Sequence, residues 1–156
     1  MNPALLESLR TTFVPLGFRP VEPDRAAAPE LQRILKRQTW NTNRAIGVFQ
    51  IEAVPPDFHK VVKRWGWRIA KKVGFFPFFY SLGIQVIVSC KGPVDAKMNL
   101  SHCVNKVDNQ LAIVQSIFLI DESSSRFMQA RTWGQLITGK YQDDIVRCLR
   151  QFYKEK

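Results

Sequence analysis

Apolar residues recur along this chain with two spacings, and each predicts a different kind of element. Leu5, Leu9 and Phe13 repeat four residues apart with Leu6 beside them. Asn2 and Pro3 are residues that start helices, so a first amphipathic helix is expected over 3–14, stopped by Pro15 and Gly17. The stretch from Arg19 to Pro29 holds three prolines and Ala26-Ala27-Ala28 among charges, and reads as an extended connector. Pro29 can open a short helix, with Leu31, Ile34 and Leu35 on one side and Arg33, Lys36 and Arg37 on the other; a strand is the alternative. Asn41-Thr42-Asn43 signals a turn, and Ile46, Val48, Phe49 and Ile51 then place a strand within 44–54. Pro55-Pro56-Asp57 stops it and opens a helix to about Val73.

The second half repeats the theme. Ile84 to Cys90 is a β-branched run of strand length without charge, ended by Lys91-Gly92-Pro93. Leu111 to Ile120 is another, closed by Asp121, Glu122 and three serines. Strands this continuously apolar are expected where both faces of a sheet are covered. A last helix over 141–153 gathers Ile145, Val146, Leu149, Phe152 and Tyr153, with Asp143 and Arg147 as an i, i+4 pair. The expected fold is α/β (or α+β): one domain over 1–156, a sheet of three to five strands with helices packed on it. A length of 156 residues suits one domain, and 46% apolar content excludes a disordered chain.

Charge changes the picture. The chain carries 23 Lys and Arg against 13 Asp and Glu, a net +10. Such a field attracts phosphate polymers and anionic membranes. Half of it lies in residues 44–83, where seven basic residues face two acidic ones. Projected as a helix, 57–73 puts Phe58, Val62, Trp65, Ile69 and Val73 on one stripe. Lys60, Lys63, Arg64, Arg68, Lys71 and Lys72 cover the opposite half, and Trp67 falls among them. A Trp on a basic face can stack on an unpaired base while the cations hold phosphates, or lie at a lipid headgroup interface. It can also pack beneath a loop or another part of the chain, leaving the charges as a solvated face.

Phe75, Phe76, Phe78, Phe79 and Tyr80 follow directly. Burial in the core is the ordinary fate of such a cluster. Exposed, it would form a membrane or partner contact beside the basic helix.

Several motifs invite chemistry. Gly134 to Lys140 matches the first seven positions of a phosphate-binding loop, but Tyr141 stands where a magnesium-ligating Ser or Thr belongs. A turn at Thr138-Gly139 followed by a helix is the expected arrangement. Cys90, His102 and Cys103, with His59, contain metal-ligating types without the close pairs of a structural zinc site. Cys90 with His102 is a conceivable nucleophile and base, with no orienting acid in view. A metal-dependent nuclease would draw on the strand-end acids Glu52, Asp108 and Asp121, with Glu122 and Asp95-Ala96-Lys97 nearby. Asn105 to Gln110 and Arg131 to Gln135 could contact a ligand, although such polar segments more often satisfy turn backbone.

The expectation is a binding domain rather than an enzyme, with no cofactor or metal. Single-stranded nucleic acid is the favoured partner, held by Lys60, Lys63, Arg64, Arg68, Lys71 and Lys72 with Trp67 stacking. An anionic membrane surface, a protein partner and a nuclease substrate are the alternatives. Cys90, Cys103 and Cys148 cannot all pair, and neither a secretory leader nor a membrane-spanning run is expected, so the compartment expected is the cytoplasm.

Overall fold

The computed structural model describes the chain except for residues 24–25, 27, 40–41, 75–80, 105–111 and 133–134. Of 42, 81, 112–113 and 135–140 it describes the backbone only.

Helix α1 spans Pro3–Phe13, where the Asn2 side chain accepts from the Ala4 N–H and Pro3 begins the first turn. Strands β1 (Arg19–Val21), β2 (Leu31–Gln38) and β3 (Thr42–Ile51) form an antiparallel meander. Helix α2 (Phe58–Lys72) crosses over to β4 (Ser81–Cys90), which lies parallel to β3. A 3-10 turn at Leu100–Cys103 precedes β5 (Ala112–Asp121), parallel to β4. Strand β6 (Arg126–Arg131) returns antiparallel, and helix α3 (Gln135–Arg150) leads to β7 (Lys154–Glu155), parallel to β6. The seven strands lie side by side in chain order.

Helices cover both faces, as the uncharged strands required. One core holds Phe58, Val62, Trp65 and Ile69 of α2 against Ile34, Phe49, Val86, Val88 and Leu119. The other holds Leu5, Leu9 and Phe13 of α1 and Ile145 and Leu149 of α3 against Leu35, Ile46, Ile87, Phe118 and Phe127. Among the described residues no helix is long and apolar enough to cross a membrane.

Three expectations are corrected. The helix proposed after Pro29 is strand β2. Leu31 and Ile34 enter one core and Leu35 the other, and the pairing with β3 shifts register between Leu31 and Arg33. An irregularity there puts residues three apart on the same face, which imitates a helical spacing. The sheet has seven strands rather than three to five, because β1, β6 and β7 are short or mostly polar. Helix α3 begins at Gln135 rather than near Tyr141, so Thr138 and Gly139 lie inside it and form no turn. A phosphate-binding loop needs an irregular backbone ahead of its helix, and 135–140 is helical. The polar segments over 105–110 and at 133–134 lie outside the described residues.

Two glycines seat α2 closely on the sheet. A Cβ on Gly66 would lie 3.0 Å from Val114 Cγ2, and one on Gly47 would overlap Ile69 Cδ1. Helix and strands approach more closely than side chains at these two positions would allow.

Candidate nucleic-acid interface

The buried stripe of α2 is the one its periodicity predicted: Phe58, Val62, Trp65, Ile69 and Val73 are all buried. Trp65 anchors it. Its ring stacks on Phe49 at 4.2 Å and meets the edge of Phe58 at 6.1 Å, while its Nε1 donates to Glu30 at 2.7 Å. Glu30 also accepts from Arg68 at 3.1 Å, so the underside of the helix is tied to the start of β2. At the other end Lys36 Nζ donates to the Val73 carbonyl at 2.7 Å, satisfying one of the acceptors a helix leaves open at its C-terminus.

Trp67, two residues from Trp65, is 58% exposed. Only Val14 shares that status among the large hydrophobic side chains of the described residues. Among the described residues, Trp67 therefore packs neither under a loop nor beneath another part of the chain. Lys63 and Arg64 lie one turn before it and Lys71 one turn after, close enough on a helix surface to frame the ring. Among the six basic residues of α2, Lys60 pairs with Asp57 at 3.3 Å and Arg68 with Glu30. Lys63, Arg64, Lys71 and Lys72 have no ion-pair or hydrogen-bond partner among the described residues. The arrangement is a flat aromatic surface at the centre of uncompensated positive charge. Phe75, Phe76, Phe78, Phe79 and Tyr80, the proposed membrane or partner contact, lie outside the described residues.

The strand-end acids are dispersed. Glu52 is exposed at the end of β3 and pairs with Lys91 at 2.7 Å. Asp121 is buried where β5 ends. Its Oδ1 accepts from the Ser123 and Ser124 N–H groups and the Ser123 hydroxyl, and its Oδ2 faces the Val94 N–H and Lys156. Burial alone would raise its pKa, but the hydrogen bonds from Ser123, Ser124 and Val94 outweigh it and hold the carboxyl well below the usual range. Glu122 accepts from Ser89 Oγ at 2.6 Å and from the Tyr153 hydroxyl at 3.1 Å. Burial, followed by the Glu122 charge, raises the Tyr153 pKa in turn. Asp95 accepts from the Lys97 N–H within its own turn. Asp108 lies outside the described residues.

Of the metal-ligating candidates, His59, His102 and Cys103 line one recess, while Cys90 sits at the end of β4. They do not converge: among the described residues no group of three or more His, Cys, Asp or Glu could hold an ion. Burial pushes the Cys103 thiol up to about 11, which disfavours the thiolate a metal requires. Cys90 is fully buried, its Sγ 3.7 Å from the Glu52 carbonyl, and burial raises its pKa as well. Cys90 is thus enclosed at the strand end, while His102 is exposed on the 3-10 turn.

Sequence reasoning missed a polar seam under α3. Gln85, Ser116 and Arg131 stand in register across β4, β5 and β6; Gln85 and Ser116 are buried, as is Gln142 of α3, while Arg131 is half-buried. Gln85 Oε1, Ser116 Oγ and both amide atoms of Gln142 have no hydrogen-bond partner among the described residues. Beside this seam, Arg37 and Arg44 both lie over the Tyr141 ring, at 5.6 and 5.2 Å. Burial, with Arg37 adding repulsion, lowers the Arg44 pKa. The available signal was the polar interruption of two apolar runs, at Gln85 and at Gln115-Ser116.

Comparison with known proteins finds no matching family, no matching curated protein and no matching solved structure. The functional reading therefore rests on the geometry of the chain itself.

Proposed function

We propose that this protein is a polyanion-binding domain that holds single-stranded nucleic acid along the outer face of α2. The observation that carries the reading is Trp67, 58% exposed and framed by Lys63, Arg64 and Lys71. Exposing an indole to water is unfavourable, and a base stacked on it removes apolar surface from solvent while neighbouring cations neutralise phosphates. A paired base has no free face to offer, so the aromatic contact favours single strands over duplex. Lys60, Arg68 and Lys72 flank the track. A membrane-surface helix, by contrast, needs a broad free apolar face. The sheet consumes that face of α2, leaving Trp67 alone outside. The commitment of Asp121 and Glu122 to local hydrogen bonds likewise supports binding over hydrolysis.

Fluorescence anisotropy of a labelled single-stranded RNA at low and moderate salt tests the proposal. Binding that weakens with salt and quenches Trp emission is expected, with Lys63→Ala reducing the salt slope by about 0.7. Absence of binding at low salt, where attraction is strongest, would overturn it. Flotation on anionic vesicles in that case would point to a membrane instead.

A further inference from the structure

The recess beside the first turn of α2 extends this reading. It has a volume of about 400 Å³ and lies between α2 and the 3-10 turn. Phe58 and Met98 supply apolar lining, and His59, Lys63, Asn99 and His102 supply polar groups. None of its lining residues is acidic. The carboxylates nearest in sequence are already engaged, Asp57 with Lys60 and Asp95 with the Lys97 N–H. An apolar wall with hydrogen-bonding and cationic groups around it fits a planar ring carrying a phosphate.

Its position along the helix gives the recess a role. His59, Lys63 and Trp67 succeed one another at four-residue intervals, and Lys63 belongs both to the recess and to the frame of Trp67. At 1.5 Å rise per residue, the recess runs from about 6 Å along the helix from Trp67, at Lys63, to about 12 Å, at His59, a span a short oligonucleotide can bridge. We propose that this recess is a nucleotide subsite, in which Pro56 and Met98 face the base over the buried edge of Phe58, and His59, Lys63, Asn99 and His102 face its phosphate and sugar. As the end of a strand track it rests on the reading of α2 above; as a site for one nucleotide it stands on its own lining.

Two measurements on the full chain separate these levels. The first titrates uridine monophosphate to about 10 mM and follows the His59 and His102 ring resonances. Both should shift in the wild type and in Trp67→Ala, whereas the remaining His59 resonance should stay unmoved in His102→Glu, whose substitution lies at an exposed position and leaves the core intact. Unmoved histidines in the wild type would overturn the subsite, whether or not RNA binds α2. The second compares oligouridylates of about two to eight nucleotides. The longer oligomers should gain affinity by spanning Trp67 and the recess, and His102→Glu should remove about tenfold of that gain. Identical length dependence in His102→Glu and wild type would overturn the track. Histidine shifts with no oligomer binding at all would instead refute the α2 reading and leave a mononucleotide site.

Discussion

One helix covers one face of the sheet and two cover the other, and the charges they carry are not alike. Helix α2 brings six Lys and Arg and no acid. Helix α3 brings three basic and two acidic residues, and α1 one of each. On the α1/α3 face the charges find each other: Arg10 with Glu7, Arg147 with Asp144, and Arg131 of β6 with Asp143. On α2 four cations remain without a counter-ion among the described residues, around an exposed indole. Both faces bury apolar side chains fully, so the contrast does not concern folding. Packing explains the inner side of α2 and leaves its outer side unexplained, which is where a binding role belongs.

Four substitutions can break or sharpen this contrast, beginning with the largest effect. Trp65→Ala should cost about 3–5 kcal/mol in a denaturant titration, because it removes a buried indole stacked on Phe49. Trp67→Ala should change stability by less than about 0.5 kcal/mol but weaken single-strand binding by about 1–3 kcal/mol. The two tryptophans would then divide stability from function within one turn of helix. Similar destabilisation by both would erase the distinction.

Asp121→Asn should cost about 1–3 kcal/mol at neutral pH, since its carboxylate gathers several hydrogen bonds while buried. A folded-state pKa held below the unfolded value gives stability that is present above about pH 4 and lost as pH falls further. Wild type and variant should therefore converge in stability in acid; a gap independent of pH would contradict this account of Asp121. On the α3 side, Ser116→Ala should stabilise by about 1 kcal/mol, because it removes a buried hydroxyl with no partner among the described residues. Destabilisation in thermal melts would show that the polar seam is satisfied in solution.

Much of this was legible in the chain. Long amphipathic or continuously apolar segments announced α1, α2, β3, β4 and β5, because each must hide a whole face. Strand β2 was harder to read, since an irregularity near Leu31 and burial on both faces imitate helical spacing. Strands β6 and β7 escaped notice because their pairing is a backbone property, carried by residues such as Arg126, Gln129 and Lys154. Trp67 was visible as a break in the basic face, but only three-dimensional packing reveals that none of the described residues covers it. The recess beside His59 was illegible for a different reason. Its other wall, from Met98 to Cys103, is far away in sequence, and no periodicity links the two segments.

The most direct test of the central claim compares affinities for a single-stranded RNA and for a duplex of the same sequence, in wild type and in Trp67→Ala. The wild type should prefer the single strand, and the variant should lose that preference with its duplex affinity unchanged. An equal loss on both nucleic acids, or none on either, would mean that Trp67 does not stack on bases and that α2 offers charge alone.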